Sequence, residues 1–372
     1  MEPRQALLSP RWFLVLAATL AAAATLGGGV ARAATATATT RLNSPQAAEI
    51  ARGGSIPDSQ LSSAASFGLH MSSGYWGGEY TTSGGEQVLI YASDEYPVEP
   101  ARAQRWADFL ASLVHGSELA SLTAYLAPLS EVQGICGFQA LACYSSTTST
   151  LIAPGDDPGS TVSAEAVVAH EYGHHVAAHR SDAPWPAIDY GTKRWSSYEQ
   201  VCAKTRANEL VPGAEDVPDY TRNPGEAFAE TYRVLNERKL GLQETTWDIV
   251  TETLYPDPTA LALLEQDVTV PWTKPTTTTL TGSFRPRGAS LRTFTLATSL
   301  DGTLAVTLRS PPRSRISLRL LDGSGHRLGA TATTPGARSA GLKTTICGTR
   351  TLRLQVTRTS GSGTFRLTVS RP

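Results

Sequence analysis

His170 and His174 stand four residues apart, and Glu171 follows the first of them, in the pattern HExxH. On an α-helix each residue turns about 100°, so the two imidazoles lie about 40° apart on one face and can reach a single ion. Glu171 lies to one side of that pair, where a general base for metal-activated water is needed, and zinc is the ion this arrangement suits. The run Thr161–His179, TVSAEAVVAHEYGHHVAAH, reads as the helix that carries it. Thr161 is its expected N-cap, Glu165 sits in the first turn, and Ala164, Val167, Val168, Tyr172 and Val176 supply the buried face. A bare HExxH also arises by chance, and buried histidines with ordinary hydrogen bonds outnumber ligands. Against that reading, four of the seven histidines (His170, His174, His175 and His179) cluster in this one run. His179 is about half a turn from His170, and His175 is rotated about 100° from His174, so both are expected in surface or supporting roles. Ala177 and Arg180 occupy the Gly and third-His positions of the extended pattern HExxHxxGxxH, so a third ligand must come from further along.

The next informative stretch is Tyr220–Tyr232, YTRNPGEAFAETY. Asn223-Pro224 is a helix start, with Asn as cap and Pro at the first helical position. Glu226, three residues after the cap, has the spacing of a capping-box partner as well as that of a ligand. Glu226 and Glu230 share one helical face, away from Phe228 and Tyr232. Two carboxylates on a face of an otherwise apolar helix are costly to bury unless a cation meets them.

Together, HEYGHH and NPGEAFAE resemble the gluzincin-type zinc metallopeptidases, and more closely the secreted actinobacterial HExxH proteins and the protease domain of anthrax lethal factor. The resemblance covers residues 86–265 and is carried by the two motifs. It implies that His170, His174 and Glu226 bind Zn2+, that Glu171 is the general base, and that Glu230 orients a ligand histidine from outside. It also makes Tyr220, shortly before the second helix, the candidate for stabilising an oxyanion. The chemistry so implied is hydrolysis of a peptide or protein substrate, with water activated by zinc and its proton taken by Glu171 and passed to the leaving amine.

Several elements must position these residues. Residues 1–33 read as an export signal: Arg4 and Arg11 precede an apolar run from Trp12 to Leu26, then Ala31-Arg32-Ala33. The run is short for a membrane span, so the expected location is extracellular after cleavage. Residues 34–84, rich in Ala, Thr, Ser and Gly, read as a flexible leader or propeptide. A catalytic domain is expected over residues 85–267, with a strand at EQVLIYAS, a helix over Glu99–His115 and a strand over Leu119–Leu126. Tyr144–Ala153 has the composition of a strand, either an edge strand open to an extended substrate or an ordinary solvent-facing one. Arg180–Arg222 reads as a loop-rich excursion, and Leu240–Leu264 as one or two helices. Four cysteines allow three connectivities; Cys136 and Cys143 are close enough to clip a loop, which leaves Cys202 and Cys347.

After a Pro/Thr-rich linker at 268–277, residues 278–372 alternate apolar and polar in short runs between Gly and Pro turns, the pattern of a small all-β sandwich. The expected fold is therefore α+β, a zincin-like domain followed by that sandwich. Charge divides unevenly: residues 276–372 hold 15 Lys+Arg against 2 Asp+Glu, and residues 34–275 hold 14 against 30. A basic tail of this kind either binds an anionic cell-surface polymer or docks on its own acidic partner domain. If the site does no chemistry, the first option makes the chain a non-catalytic surface-binding module. No nucleic-acid-binding motif is present, and no feature specifies an oligomeric state.

Overall fold

The computed structural model describes the backbone of residues 40–42 and residues 74–372, except 216–218, 248, 335–337 and 349. The expected export signal, 1–33, and most of the expected leader lie outside the described residues. The described chain is an α+β protein with two bodies of structure joined near residues 270–275.

The first body is built on a six-stranded sheet. Its strands are β1 (Thr40–Leu42), β2 (Tyr75–Thr81), β3 (Gln87–Ser93), β4 (Thr123–Ala127), β5 (Cys143–Ser145) and β6 (Thr150–Pro154), in the order β1-β2-β3-β4-β6-β5. β4 runs parallel to β3 and β6, and the other neighbours are antiparallel. The sheet is covered by α1 (Pro100–Ser112), α2 (Leu129–Cys136) and α3 (Ala164–Ala178). Ile90, Leu110, Leu126 and Leu151 lie buried in the core, each contributing roughly 1.5–3 kcal/mol by leaving water.

Four sequence expectations change here. The ordered sheet begins earlier than residue 85: β2 lies in the expected leader, with Trp76 and Tyr80 buried against β3. Gly77 at its centre has φ +138°, and a Cβ there would sit 2.1 Å from the Ile90 carbonyl oxygen, so this Gly sets how closely β2 approaches β3. Leu119 belongs to a 3-10 turn, Ser117–Ser121, and only Thr123–Ala127 is strand. Tyr144–Ala153 is not one strand but a hairpin, turned at Ser149 with φ 54°. β5 does stand at the sheet edge, yet Cys143, Tyr144 and Ser145 are at most 1 % exposed, so this edge is not an open one.

After α3 the chain forms a small hairpin, β7 (Ser181–Asp182) and β8 (Trp185–Pro186), and then three short helices: α4 (Ala187–Tyr190), α5 (Lys193–Tyr198) and α6 (Val201–Arg206). The expected loop excursion is thus largely structured, and Asp267 anchors the start of α5 from a distance. Its carboxylate accepts from Thr192 Oγ1 at 2.8 Å and from the Arg194 backbone NH at 2.7 Å. Then follow α7 (Pro224–Leu240), ended by Gly241 at φ 67°, and α8 (Pro258–Thr269), capped by Asp257.

The second body is a sandwich of two antiparallel sheets. Its strands are β9 (Thr276–Phe284), β10 (Leu291–Ala297), β11 (Gly302–Arg309), β12 (Arg315–Asp322), β13 (Arg327–Thr333), β14 (Ser339–Ile346), β15 (Thr351–Ser360) and β16 (Gly363–Arg371), ordered β10-β15-β12-β13 and β14-β11-β16-β9. Alternate residues such as Leu304, Val306 and Leu308 on β11 fill the space between the sheets.

The two bodies are fastened together. Lys193 on α5 is fully buried, with Nζ 2.6 Å from Asp182 Oδ1, 2.8 Å from the Ala183 carbonyl and 3.1 Å from the Asp301 carbonyl of the sandwich. Arg350 reaches back from the sandwich to the Ser197 carbonyl at 2.5 Å while pairing with Asp301 at 2.6 Å. Both expected disulfides are present, Cys136–Cys143 within α2 and β5, and Cys202–Cys347 across the junction. Such bonds persist in oxidising compartments. Among the described residues no helix is long and apolar enough to cross a membrane.

Candidate metal centre

α3 begins at Ala164 rather than near Thr161, because Ser163 is the cap: its Oγ accepts from the Ala166 NH at 3.1 Å. Asp157 accepts from the Ala164 NH at 2.9 Å, so two oxygens satisfy the exposed amides of the first turn. α7 starts as its sequence indicates, with Asn223 Oδ1 taking the Gly225 NH at 2.9 Å and Pro224 at the first position. The two helices cross very closely. A Cβ on Gly173, inside the HExxH pattern, would lie 2.8 Å from Ala229 Cα.

That crossing brings together the three residues singled out as ligands. His170 Nε2 and His174 Nε2 are 3.2 Å apart, and each lies 3.3 Å from Glu226 Oε2. Four ligands arranged tetrahedrally at zinc bond lengths of about 2.0–2.1 Å have edges of about 3.3–3.4 Å, so this triangle of two nitrogens and one oxygen fits one face of a zinc site. His170, His174 and Glu226 are all buried, and they form a group whose ligand atoms lie within 4.8 Å of one another. Among the described residues, Glu226 Oε1 is buried with no hydrogen-bond partner.

The neighbours complete the arrangement. His170 uses its other nitrogen, Nδ1, on Glu230 Oε1 at 3.1 Å. Glu230 Oε2 is in turn held by Arg233, through Nε at 2.9 Å and also through Nη2, and Arg233 Nη1 reaches Glu237 at 2.6 Å. Tyr220 Oη donates to Glu226 Oε2 at 2.8 Å, which sets Tyr220 against the triangle's carboxylate. Glu171 is buried beside His170, close enough to favour its charged form. Arg233 was missed in the sequence, although its spacing, three residues after Glu230 and four before Glu237, is that of paired side chains on one helix.

The electrostatics are those of a place that favours a cation. Burial opposes charge on His170, but Glu226 and Glu230 outweigh it and hold its imidazole pKa well above the usual range. Burial likewise pushes Glu226 up, and the two histidines reverse this and hold it well below the carboxylate range. Glu230 is lowered too, its burial outweighed by His170 and Arg233.

The other two histidines of the cluster turn away. His175 is not at the surface: it is buried, with Nδ1 2.9 Å from Tyr144 Oη and Nε2 2.9 Å from the Glu118 carbonyl. His179 contacts Ser121 Oγ at 3.2 Å. His175 braces the helix against the core, whereas His179 is exposed.

No family model and no curated protein matches the chain. Among solved structures, one match is the SPBc2 prophage-derived protein YomS, at 16 % identity over 26 % of this chain and 95 % of that one. Its TM-score of 0.19 carries no argument about fold or function.

Proposed function

We propose that the chain is an extracellular zinc-dependent peptidase with a zincin-like domain. The observation that carries this reading is the triangle of His170 Nε2, His174 Nε2 and Glu226 Oε2, with edges of 3.2–3.3 Å and a carboxylate, Glu171, beside it. A zinc ion held there would act as a Lewis acid and activate water for attack on a peptide carbonyl. The remaining work belongs to side chains. Glu171 takes a proton from the attacking water and returns it to the leaving amine. Glu230 accepts from His170 Nδ1, which fixes the ring and directs Nε2 at the ion. Arg233 keeps Glu230 ionised for that task. Tyr220, a hydroxyl donor at the ligand carboxylate, is suited to turn toward an oxyanion.

Two variants test the reading. Glu171→Gln should retain zinc and lose hydrolysis of a peptide mixture, whereas Glu226→Ala should lose zinc itself, measured by elemental analysis. Wild-type protein that binds zinc and cleaves no peptide would leave the chain a surface-binding module. Full zinc content in Glu226→Ala would move the third ligand to another acid.

A further inference from the structure

The antiparallel strands of the sandwich place its turns at two opposite poles. Residues 298–301, 347–348 and 350 lie at one pole, tied to each other by the Thr298 NH on the Arg350 carbonyl, and this pole is bound to the first body through Lys193, Arg350 and the Cys202–Cys347 disulfide. The turns 285–290, 310–314 and 361–362 lie at the other together with Arg338, tied by the Ser310 NH on the Arg338 carbonyl and the Arg358 NH on the Ser290 carbonyl.

Charge follows this division. The free pole carries Arg285, Arg287 and Arg313 on its turns and Arg309, Arg315 and Arg366 at strand ends, all exposed. The only Asp and Glu side chains of residues 276–372 are Asp301 and Asp322, and both belong to the bound pole. Arg309 and Arg366 are directly opposed on β11 and β16. Like charges across a ladder oppose folding, so nothing in the sandwich itself accounts for the pairing. Arg358 also braces this pole. Its guanidinium donates to the carbonyls of Arg285, Pro286, Gly288 and Gly361, and so holds the 285–288 turn in place.

We infer that the free pole of the sandwich binds a flexible linear polyanion with repeating phosphate groups. Basic side chains at this pole are all arginine, whose planar fork matches phosphate in a bidentate way. They sit on the ends of both sheets and on separate turns, a layout that a flexible chain can follow and a rigid duplex cannot. Phe284 and Phe365 are buried and the partly buried Phe294 packs against Phe365, so no open aromatic platform is offered to nucleic-acid bases. Leu291 is the single large apolar side chain exposed in the described sandwich, too little for insertion into a lipid surface. The charged end also points away from the first body, which answers the choice posed by the basic tail: its contact with that body is made by Arg350, Asp301 and the disulfide, not by the basic pole.

The test uses the full chain and inorganic polyphosphate as probe, with binding followed by fluorescence anisotropy across a salt series. Arg309→Gln/Arg366→Gln should raise Kd at least tenfold, and should lower the slope of log Kd against log salt by about two. Arg319→Gln/Arg327→Gln, which removes the same charge from elsewhere on the sandwich, should change Kd less than twofold. Melting curves confirm that both variants fold. Equal losses in the two variants would make the attraction diffuse and overturn the site. Tighter binding of anionic lipid vesicles, or of duplex DNA at matched charge, would overturn the polymer as partner. Neither arm reads hydrolysis, so this inference and the peptidase reading stand or fall separately.

Discussion

At the scale of single residues, the proposed metal centre would depend on side chains outside the triangle of His170, His174 and Glu226. Arg233 is buried between Glu230 and Glu237 and is their shared cation. Arg233→Met would remove the shared cation of two buried carboxylates, leaving Glu230 with His170 alone, at a cost of about 3–5 kcal/mol. Zinc affinity should fall about 10–100-fold as His170 loses its fixed orientation. Chelator competition reads the second effect, urea unfolding the first, and Arg233→Lys should recover part of both. His175 makes a separate prediction. Burial pushes its pKa down to about 4, against about 6.5 in the unfolded chain. Between these values the unfolded chain takes up a proton that the folded one refuses, so stability is full above pH 6.5 and is lost as pH falls toward 4. The loss is on the order of 3 kcal/mol. Melting curves with a chelator present should show a steeper decline over that window for wild type than for His175→Gln.

At the scale of elements, the geometry rests on the crossing of α3 and α7, and Gly173 is what permits it. Gly173→Ala would set a methyl against the backbone of Ala229, forcing the helices apart and costing about 1–3 kcal/mol. Because Glu226 rides on α7, zinc affinity should fall in step with the melting temperature; unchanged affinity would show that the ligands do not depend on this contact. These two helices were the most legible part of the sequence, since cap, buried face and proposed ligands lie together in each run, with a proline at the start of the second. The sandwich was legible for a similar reason, its alternation being local. β2 was not, because Tyr75, Trp76 and Tyr80 sit among glycines and serines and owe their burial to β3 across the sheet. The short helix α5 was hidden for the same reason, its first turn being held by Asp267, some seventy residues away. Lys193 is the extreme case. A lysine reads as solvated, and its full burial follows only from Asp182, Ala183 and Asp301 meeting around it.

At the scale of the whole molecule, that lysine makes the two bodies one structure despite the proline-rich segment between them. The Pro/Thr-rich linker in the sequence suggests that a chain ending near Pro271 would fold by itself. The junction predicts a penalty for such a truncation, because it strips a carbonyl from Lys193 and leaves Cys202 without its bond. Lys193→Met should destabilise by about 3–5 kcal/mol through the unpaired Asp182. Both bodies should lose stability together, seen as one shifted transition by calorimetry, whereas two separate transitions would show that they fold independently. The Cys202–Cys347 bond, whose ends are 145 positions apart in sequence, has another effect. The covalent loop it closes contains α7, α8 and the exposed stretch Thr273–Pro275. A protease that nicks this stretch, another copy of the same chain included, therefore releases nothing. The cut chain should run as one band on a non-reducing gel and as two after reduction, with Glu226 still seated opposite the histidines.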